Sequence, residues 1–195
     1  IKNEEGYLKA KNTDGEGALK AIKDRGGNPK DKKVVCIGAG GAARAISYFL
    51  LTECNEFILV NRDEDFELAE NLRDRLKNNY DNHISAIKLS EEQSVRKEIE
   101  NADLLINCTP VGMYPNMGVS PIPSEWLHED LFVFDAIYNP LKTRLLEDAE
   151  KLGCKIETGV MMLVNQGWLA FKWWTGKEPN SELMRKKVIE HLGIQ

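Results

Sequence analysis

A glycine turn between an apolar strand and a helix constrains this chain more than any other feature. Residues 34–37 are apolar enough to form a strand that is buried on both faces. Gly38, Gly40 and Ala43 follow with the spacing G-x-G-x-x-A, which allows a tight turn, close approach of a pyrophosphate and packing of the helix on the strand. The phosphates would lie on the free N–H groups of a helix that begins near Gly41. The stretch predicts a dinucleotide site, and a close-packed turn without a ligand is the alternative.

The composition favours one domain with appendages and a small-molecule partner. Of 195 residues, 42% are hydrophobic and 29% are charged, so the chain can bury one full core. The net charge of -5 and the absence of a basic stripe argue against binding of nucleic acid. The four cysteines and three histidines show no metal-ligand spacing, and no apolar run is long enough to cross a bilayer. We therefore expect a cytoplasmic protein with reduced thiols, no metal and no membrane contact.

Apolar runs and helical patterns alternate along the rest of the chain. Further strands are predicted at residues 57–60, 84–89, 104–108, 131–136 and 155–157. Strands that alternate with helices through short links form parallel sheets with right-handed crossovers. The predicted fold class is α/β, a doubly wound parallel (Rossmann) sheet of six strands in the order 3-2-1-4-5-6, flanked by helices.

Three segments are expected along the chain. Residues 1–30 form a hinge segment and a linking helix, residues 31–176 the nucleotide-binding domain, and residues 177–195 a C-terminal helix. In the first segment, residues 6–11 resemble a strand and residues 12–17 break the chain before a helix at residues 18–25. Thr13 and Glu16 fit a capping box at that helix.

Two further helices are predicted in the second half. Asn139 is a candidate N-cap with Pro140 as the first helical residue. Residues 160–175 are apolar on nearly every side, which predicts a buried helix. Asn165 and Gln166 lie in its middle, and buried amides need partners. Gln166 either fastens a neighbouring loop or contacts a ligand, and the pattern leaves both alternatives open.

Several separated motifs together resemble the shikimate dehydrogenase family. They are N-T-D-G at 12–15, G-A-G-G-A-A-R at 38–44, N-C-T-P-V-G-M at 107–113, Y-N-P at 138–140 and the segment 159–166. The similarity covers essentially the whole chain, and the loop N-R-D-E-D-F at 61–66 is most similar to the quinate/shikimate dehydrogenase branch. Two features depart from the family pattern. The N-terminal substrate domain with its catalytic lysine is not among these residues, and Met161 stands where members often have a second glycine.

The resemblance implies a role for each matching residue. Asp14 would be catalytic, as the acidic partner of the lysine, and would bind a substrate hydroxyl together with Gln166. The implied cofactor-binding residues are Ala39, Gly40, Gly41 and Ala42 at the pyrophosphate, Asn61, Arg62, Asp63 and Glu64 at the adenosine ribose, Thr109, Tyr138 and Gly159 at the nicotinamide, and also Pro110, Ala136, Ile137 and Asn139.

The implied reaction is the reversible, NAD(P)-dependent oxidation of shikimate or quinate to the 3-dehydro acid, in aromatic amino-acid biosynthesis or quinate use. Asp63 and Glu64 predict that NAD is used at least as well as NADP, because carboxylates accept a ribose hydroxyl and repel a 2′-phosphate. These residues alone are expected to bind the cofactor without turnover, and a homodimer is left open. The alternatives are a non-catalytic dinucleotide-sensing module and a Rossmann dehydrogenase acting on amino or folate substrates.

Overall fold

The computed structural model describes residues 1–193, apart from the side chain of Glu4. The strands in this part of the chain are β1 (Lys2–Glu4), β2 (Tyr7–Lys9), β3 (Lys33–Ile37), β4 (Glu56–Asn61), β5 (His83–Lys88), β6 (Leu104–Asn107), β7 (Phe132–Asp135) and β8 (Lys155–Glu157). The α-helices are α1 (Asp14–Asp24), α2 (Gly41–Leu50), α3 (Phe66–Lys77), α4 (Glu92–Glu100), α5 (Arg144–Lys151), α6 (Gly159–Thr175) and α7 (Ser181–His191).

Strands β3 to β8 form one parallel sheet in the order β5-β4-β3-β6-β7-β8. Numbered within the sheet, this is the predicted order 3-2-1-4-5-6, so the doubly wound Rossmann fold is confirmed. Strand β3 is central, with Val34 opposite Phe57 on one side and Leu104 on the other. Cys36 belongs to the core on one face and Val35 to the core on the other. Because both faces are covered, the inner strands β3, β4, β6 and β7 carry continuous apolar runs.

Helix α1 is held tightly between α2 and α6, and this contact overturns the predicted break at residues 12–17. The helix begins at Asp14, because Gly15 and Gly17 serve helix packing and do not interrupt the helix. A Cβ on Gly15 would lie 2.0 Å from the Ala45 carbonyl oxygen, and one on Gly17 would lie 2.8 Å from the Gln166 nitrogen. Close approach between helices therefore overrides the low helix propensity of glycine.

The predicted capping box is wrong. Thr13 is the N-cap residue of α1, but its side chain makes no capping hydrogen bond. Asn12 Oδ1 accepts the hydrogen bond from the Asp14 amide at 2.8 Å, and Glu16 pairs with Lys11 at 2.8 Å. The short side chain of Asn12 turns back onto the backbone two residues later, which is a common Asx arrangement.

Two other expectations, one about a strand and one about the start of a helix, need correction. The strand at residues 6–11 is the second half of a hairpin, in which β1 and β2 pair around Glu5 and Gly6, both with positive φ. Helix α5 begins at Arg144 and not at Pro140, because the Thr143 hydroxyl accepts from the Leu146 amide at 3.4 Å and supplies the cap.

Helix α6 is buried only in its first half, contrary to the prediction. Val160 and Val164 are buried, whereas Phe171 and Trp174 are 41% and 56% exposed. The second half contacts α7, which has no buried residue and covers only part of this surface. None of the helices within residues 1–193 combines the length and the apolar character that crossing a membrane requires.

Candidate functional site

Two adjoining cavities lie along the carboxyl edge of the sheet, on either side of the loop that follows β6. Their volumes are about 290 and 460 Å³, and Cys108, Thr109 and Pro110 line both. In a doubly wound sheet, this crevice beside the first strand is where ligands bind. The first cavity is bounded by the glycine turn and the loop after β4, and the second by the loop after β7.

Within the glycine turn, Gly38 is closely packed, whereas the backbone at Gly40 and Gly41 is open. Gly38 has a φ of +100°, and a Cβ there would lie 3.0 Å from the Cys108 carbonyl, so this position fits the turn against the end of β6. At Gly40 and Gly41, a Cβ would meet nothing within 4 Å. Helix α2 has no side-chain cap and no acidic residue in its first turn. The first N–H groups of α2 are therefore open to a phosphate, and the residues present fit a pyrophosphate.

The first cavity matches part of the predicted adenosine site. Asn61 and Arg62 line it together with Asp65. The Asn61 amide donates to the Asp65 carbonyl oxygen at 2.7 Å, and the Arg62 guanidinium forms an ion pair with the Asp65 carboxylate. Asp63 and Glu64 do not line the cavity, because Asp63 accepts a hydrogen bond from the Ser90 hydroxyl at 2.7 Å and Glu64 is exposed. Their roles at the ribose stay predictions.

The second cavity contains most of the residues predicted at the nicotinamide end. Its lining includes Ala42, Thr109, Pro110, Ala136, Ile137, Tyr138 and Asn139. Gly159 lies behind this lining and does not form part of it. A Cβ on Gly159 would lie 2.2 Å from the Ala136 carbonyl oxygen, so glycine allows the start of α6 to press against the end of β7.

A buried hydrogen-bond network under the two loops was missed by the sequence analysis. Asn107 donates to Asp135 Oδ1 at 3.1 Å, and its own Oδ1 accepts from the Thr109 amide and hydroxyl at 3.0 and 2.7 Å. Asp135 also accepts from the Ile137 amide at 3.0 Å and from the Thr143 hydroxyl at 2.7 Å. The network therefore ties the loop after β6 to the loop after β7. Each of Asn107 and Asp135 is a polar residue ending an apolar strand, and that pattern could have identified them.

Asp135 is fully buried in this network. Burial raises the pKa of its carboxyl, and the hydrogen bonds from Thr143, Ile137 and Asn107 oppose the increase. In residues 1–193, no group of three His, Cys, Asp or Glu side chains is arranged to hold a metal ion.

The two predicted substrate-binding residues lie on neighbouring helices. Asp14 is the first residue of α1, and Gln166 lies on α6, where its Oε1 accepts from the Thr13 hydroxyl at 3.5 Å. Asn165 donates to the Gly17 carbonyl oxygen at 3.2 Å and fastens the two helices together. Gln166 thus contacts the residue that precedes Asp14, although neither Asp14 nor Gln166 lines either of the two cavities.

Fold and site together define a Rossmann domain of the dinucleotide-binding class. The family model "Shikimate 5'-dehydrogenase C-terminal domain" matches residues 159–189. A shikimate dehydrogenase (NADP(+)) of Methanopyrus kandleri is 47% identical over 190 residues, covering 96% of this chain and 64% of that enzyme. One of Methanocaldococcus jannaschii is 42% identical over 195 residues, covering 98% and 67%. The chain belongs to the shikimate dehydrogenase family.

Solved structures agree with this assignment. Shikimate 5-dehydrogenase from Listeria monocytogenes, in complex with shikimate and NAD, has a TM-score of 0.91 and 34% identity, covering 95% of this chain and 65% of that one. Quinate dehydrogenase from Corynebacterium glutamicum, in complex with NAD, has a TM-score of 0.83 and 30% identity, covering 92% and 62%. The chain thus spans about two thirds of the length of the curated relatives it matches, 64% and 67% for the two named above.

Proposed function

We propose that this chain is the cofactor-binding part of an enzyme that reversibly oxidises shikimate with NADP or NAD. The observation that carries the proposal is the open glycine turn at the carboxyl edge, beside two cavities lined by residues predicted for the two ends of a dinucleotide. The relatives named as NADP(+) enzymes and the neighbour bound to shikimate and NAD support it.

The chemistry divides between the cofactor and the protein. A nicotinamide cofactor supplies a hydride acceptor when it is bound. Oxidation of a secondary alcohol also requires a base for the hydroxyl proton. In our proposal, Asp14 holds a negative charge beside a lysine from a substrate domain, and that lysine accepts the proton. Gln166 orients the substrate from α6, and its amide is positioned by Thr13.

Several finer parts of the function are also proposals. Use of NAD beside NADP is supported by the acidic residues after Arg62, and action on quinate by the similarity to quinate dehydrogenase. Residues 1–30 would act as the hinge segment, and residues 177–195 would pack toward the substrate domain. The free cysteines fit a reducing cytoplasm, and a homodimer is retained as an option. A sensing module would not require Asp14 and Gln166, so their presence favours the enzyme.

Substitution of Gly41 by Asp tests cofactor binding separately from folding. Open space surrounds Gly41, and a carboxylate in the first turn of a helix is favourable, so the variant should keep its melting temperature. The same charge repels a pyrophosphate at the N-terminus of α2. We expect the Kd for NADP, measured by calorimetry, to rise more than about tenfold.

Gly41→Asn is the matched neutral control, and it should lose much less affinity. If the unmodified chain does not bind NADP or NAD, or if Gly41→Asp binds as tightly as the unmodified chain, the proposed site is wrong.

A further inference from the structure

We propose that Asp135 acts as a buried anion that makes the site prefer the oxidised, positively charged nicotinamide over the reduced, neutral one. The inference rests on the proposed function, because it concerns the same cavity. In this inference, Asp135 has an electrostatic role in addition to its role in the buried hydrogen-bond network. Asp135 is a positioning and charge-setting residue that acts from beneath the cavity wall.

The hydrogen-bond partners of Asp135 select the ionised carboxylate. The Ile137 amide can only donate. The Asn107 side chain must present its NH₂ group, because its oxygen is already fixed by the donating Thr109 amide. The Thr143 oxygen accepts from the Leu146 amide, so its proton is free to point at Asp135 Oδ2. All three partners therefore donate, and an acceptor-only carboxylate satisfies all of them at once.

The charge has no cationic partner and lies next to the cavity. Within residues 1–193, the partners of the Asp135 carboxyl are the neutral groups of Asn107, Ile137 and Thr143, whose hydrogen bonds oppose the effect of burial on its pKa. Ala136 and Ile137, the next two residues, line the cavity at its predicted nicotinamide end. The field of the carboxylate reaches the cavity wall at Cys108. Its thiol pKa is raised by the hydrogen bond with Cys36, by burial and also by the charge of Asp135.

An uncompensated negative charge in a dry interior discriminates between the two forms of a nicotinamide. The oxidised ring is a cation and is attracted, whereas the reduced ring is neutral and is not. A charge in contact with the ring would change the relative affinity roughly fivefold even at the dielectric constant of water, and the lower effective dielectric of a protein interior strengthens the attraction, so we expect a change of at least about fivefold. The adenosine half of the dinucleotide would occupy the other cavity, so its contribution to affinity should not depend on the charge of Asp135.

Asp135→Asn removes the charge at almost constant shape. The amide oxygen can still accept from Asn107 and Ile137, and its NH₂ group can donate to the Thr143 oxygen after the hydroxyl turns. The chain and this variant are titrated separately with oxidised NADP, reduced NADP and ADP-ribose, which lacks the nicotinamide. We expect the Kd for oxidised NADP to rise at least about fivefold, with the other two Kd values unchanged. Asp135→Ser, which also removes the charge and keeps one oxygen, is the second variant and should show the same pattern.

Asp103→Asn is the matched control, because Asp103 lies at the amino edge of the sheet, hydrogen-bonded to Lys32 and to the Lys33 amide. It loses the same charge and should leave the ratio of the two NADP affinities unchanged. Equal weakening of all three ligands by Asp135→Asn, or an equal change of the ratio in Asp103→Asn, would overturn the inference and leave the proposed function standing. Failure of the unmodified chain to bind either form of NADP would overturn both.

Discussion

Gly15 shows how much one missing side chain contributes to this fold. A methyl group there would overlap the Ala45 carbonyl oxygen at 2.0 Å, and backbone atoms cannot move aside cheaply. We expect Gly15→Ala to lower the free energy of unfolding by about 2–3 kcal/mol, as overpacking does in other cores. Urea denaturation measures this change.

Gly167→Ala is the control for the prediction at Gly15. It makes the same substitution inside a helix, but its Cβ meets only the flexible end of Met184 at 3.2 Å. Because alanine is the better helix former, this variant should be as stable as the unmodified chain or slightly more stable. If both variants lose stability equally, the explanation by close helix packing is wrong.

Asp14 is the residue at which a chemical role and a structural role can be separated. Asn12 accepts the hydrogen bond from the Asp14 amide at the start of α1, so the carboxylate of Asp14 is not needed to start the helix. In a full-length enzyme, Asp14→Asn should therefore keep the melting temperature and lower kcat roughly a hundredfold, a usual loss for an acid–base group. Asn12→Ala is the converse control, with lower stability expected. A lower melting temperature with unchanged kcat in Asp14→Asn would assign the residue to structure.

At the scale of whole elements, the sheet could be predicted from the sequence, whereas several boundaries could not. The four inner strands β3, β4, β6 and β7 are almost wholly buried, so each carries an apolar run that predicts a strand. The start of α1 depends on α2 and α6, which a local pattern at Gly15 and Gly17 does not reveal. The start of α5 depends on the Thr143 hydroxyl, which also serves Asp135 from a distant strand. Strand β2 is exposed along its whole length, so no buried face marks its bounds in the sequence.

The same division holds for the candidate site. The glycine turn and the loops after β6 and β7 carry local motifs, so the lining of both cavities could be predicted in large part. The contacts of Asp63 could not, because Ser90 belongs to another loop and meets it only in the folded chain. Asn107 and Asp135 could have been singled out as polar residues that end apolar strands, but their pairing could not, because it depends on the alignment of β6 with β7.

The loop after β4 should decide cofactor choice. Arg62 suits a 2′-phosphate, but it is paired with Asp65, and two further carboxylates follow it. We expect NAD to be used at least as well as NADP in a full-length enzyme. Replacement of both Asp63 and Glu64 by Ser should move the ratio of kcat/KM values toward NADP by up to about tenfold, or 1.4 kcal/mol. A preference for NADP above about tenfold that these replacements leave unchanged would refute this account.

In the whole molecule, carboxyl groups with a raised pKa and carboxyl groups with a lowered pKa have opposite effects on how stability depends on pH. Burial raises the pKa values of Asp135 and Glu157. The hydrogen bond from Arg144 lowers the pKa of Asp148, and Lys151 adds to this effect. A raised pKa means that the folded chain takes up a proton which the unfolded chain still releases, so stability increases as the pH falls through that range. A lowered pKa means the reverse, and that stability is lost as the pH falls below the ordinary range of an aspartate.

The free energy of unfolding should therefore pass through a maximum on the acidic side of neutrality. We expect it to increase as the pH falls toward the ordinary range of a carboxyl group, as Asp135 and Glu157 become protonated in the folded chain, and to decrease below about pH 4, as Asp148 loses its ion pairs. Urea midpoints measured across this range test the shape. In Asp135→Asn this increase should be smaller, because the amide does not titrate, whereas Asp148→Asn should retain it. An Asp135→Asn curve parallel to that of the unmodified chain would show that Asp135 does not contribute, and that the increase comes from Glu157 and the falling net charge.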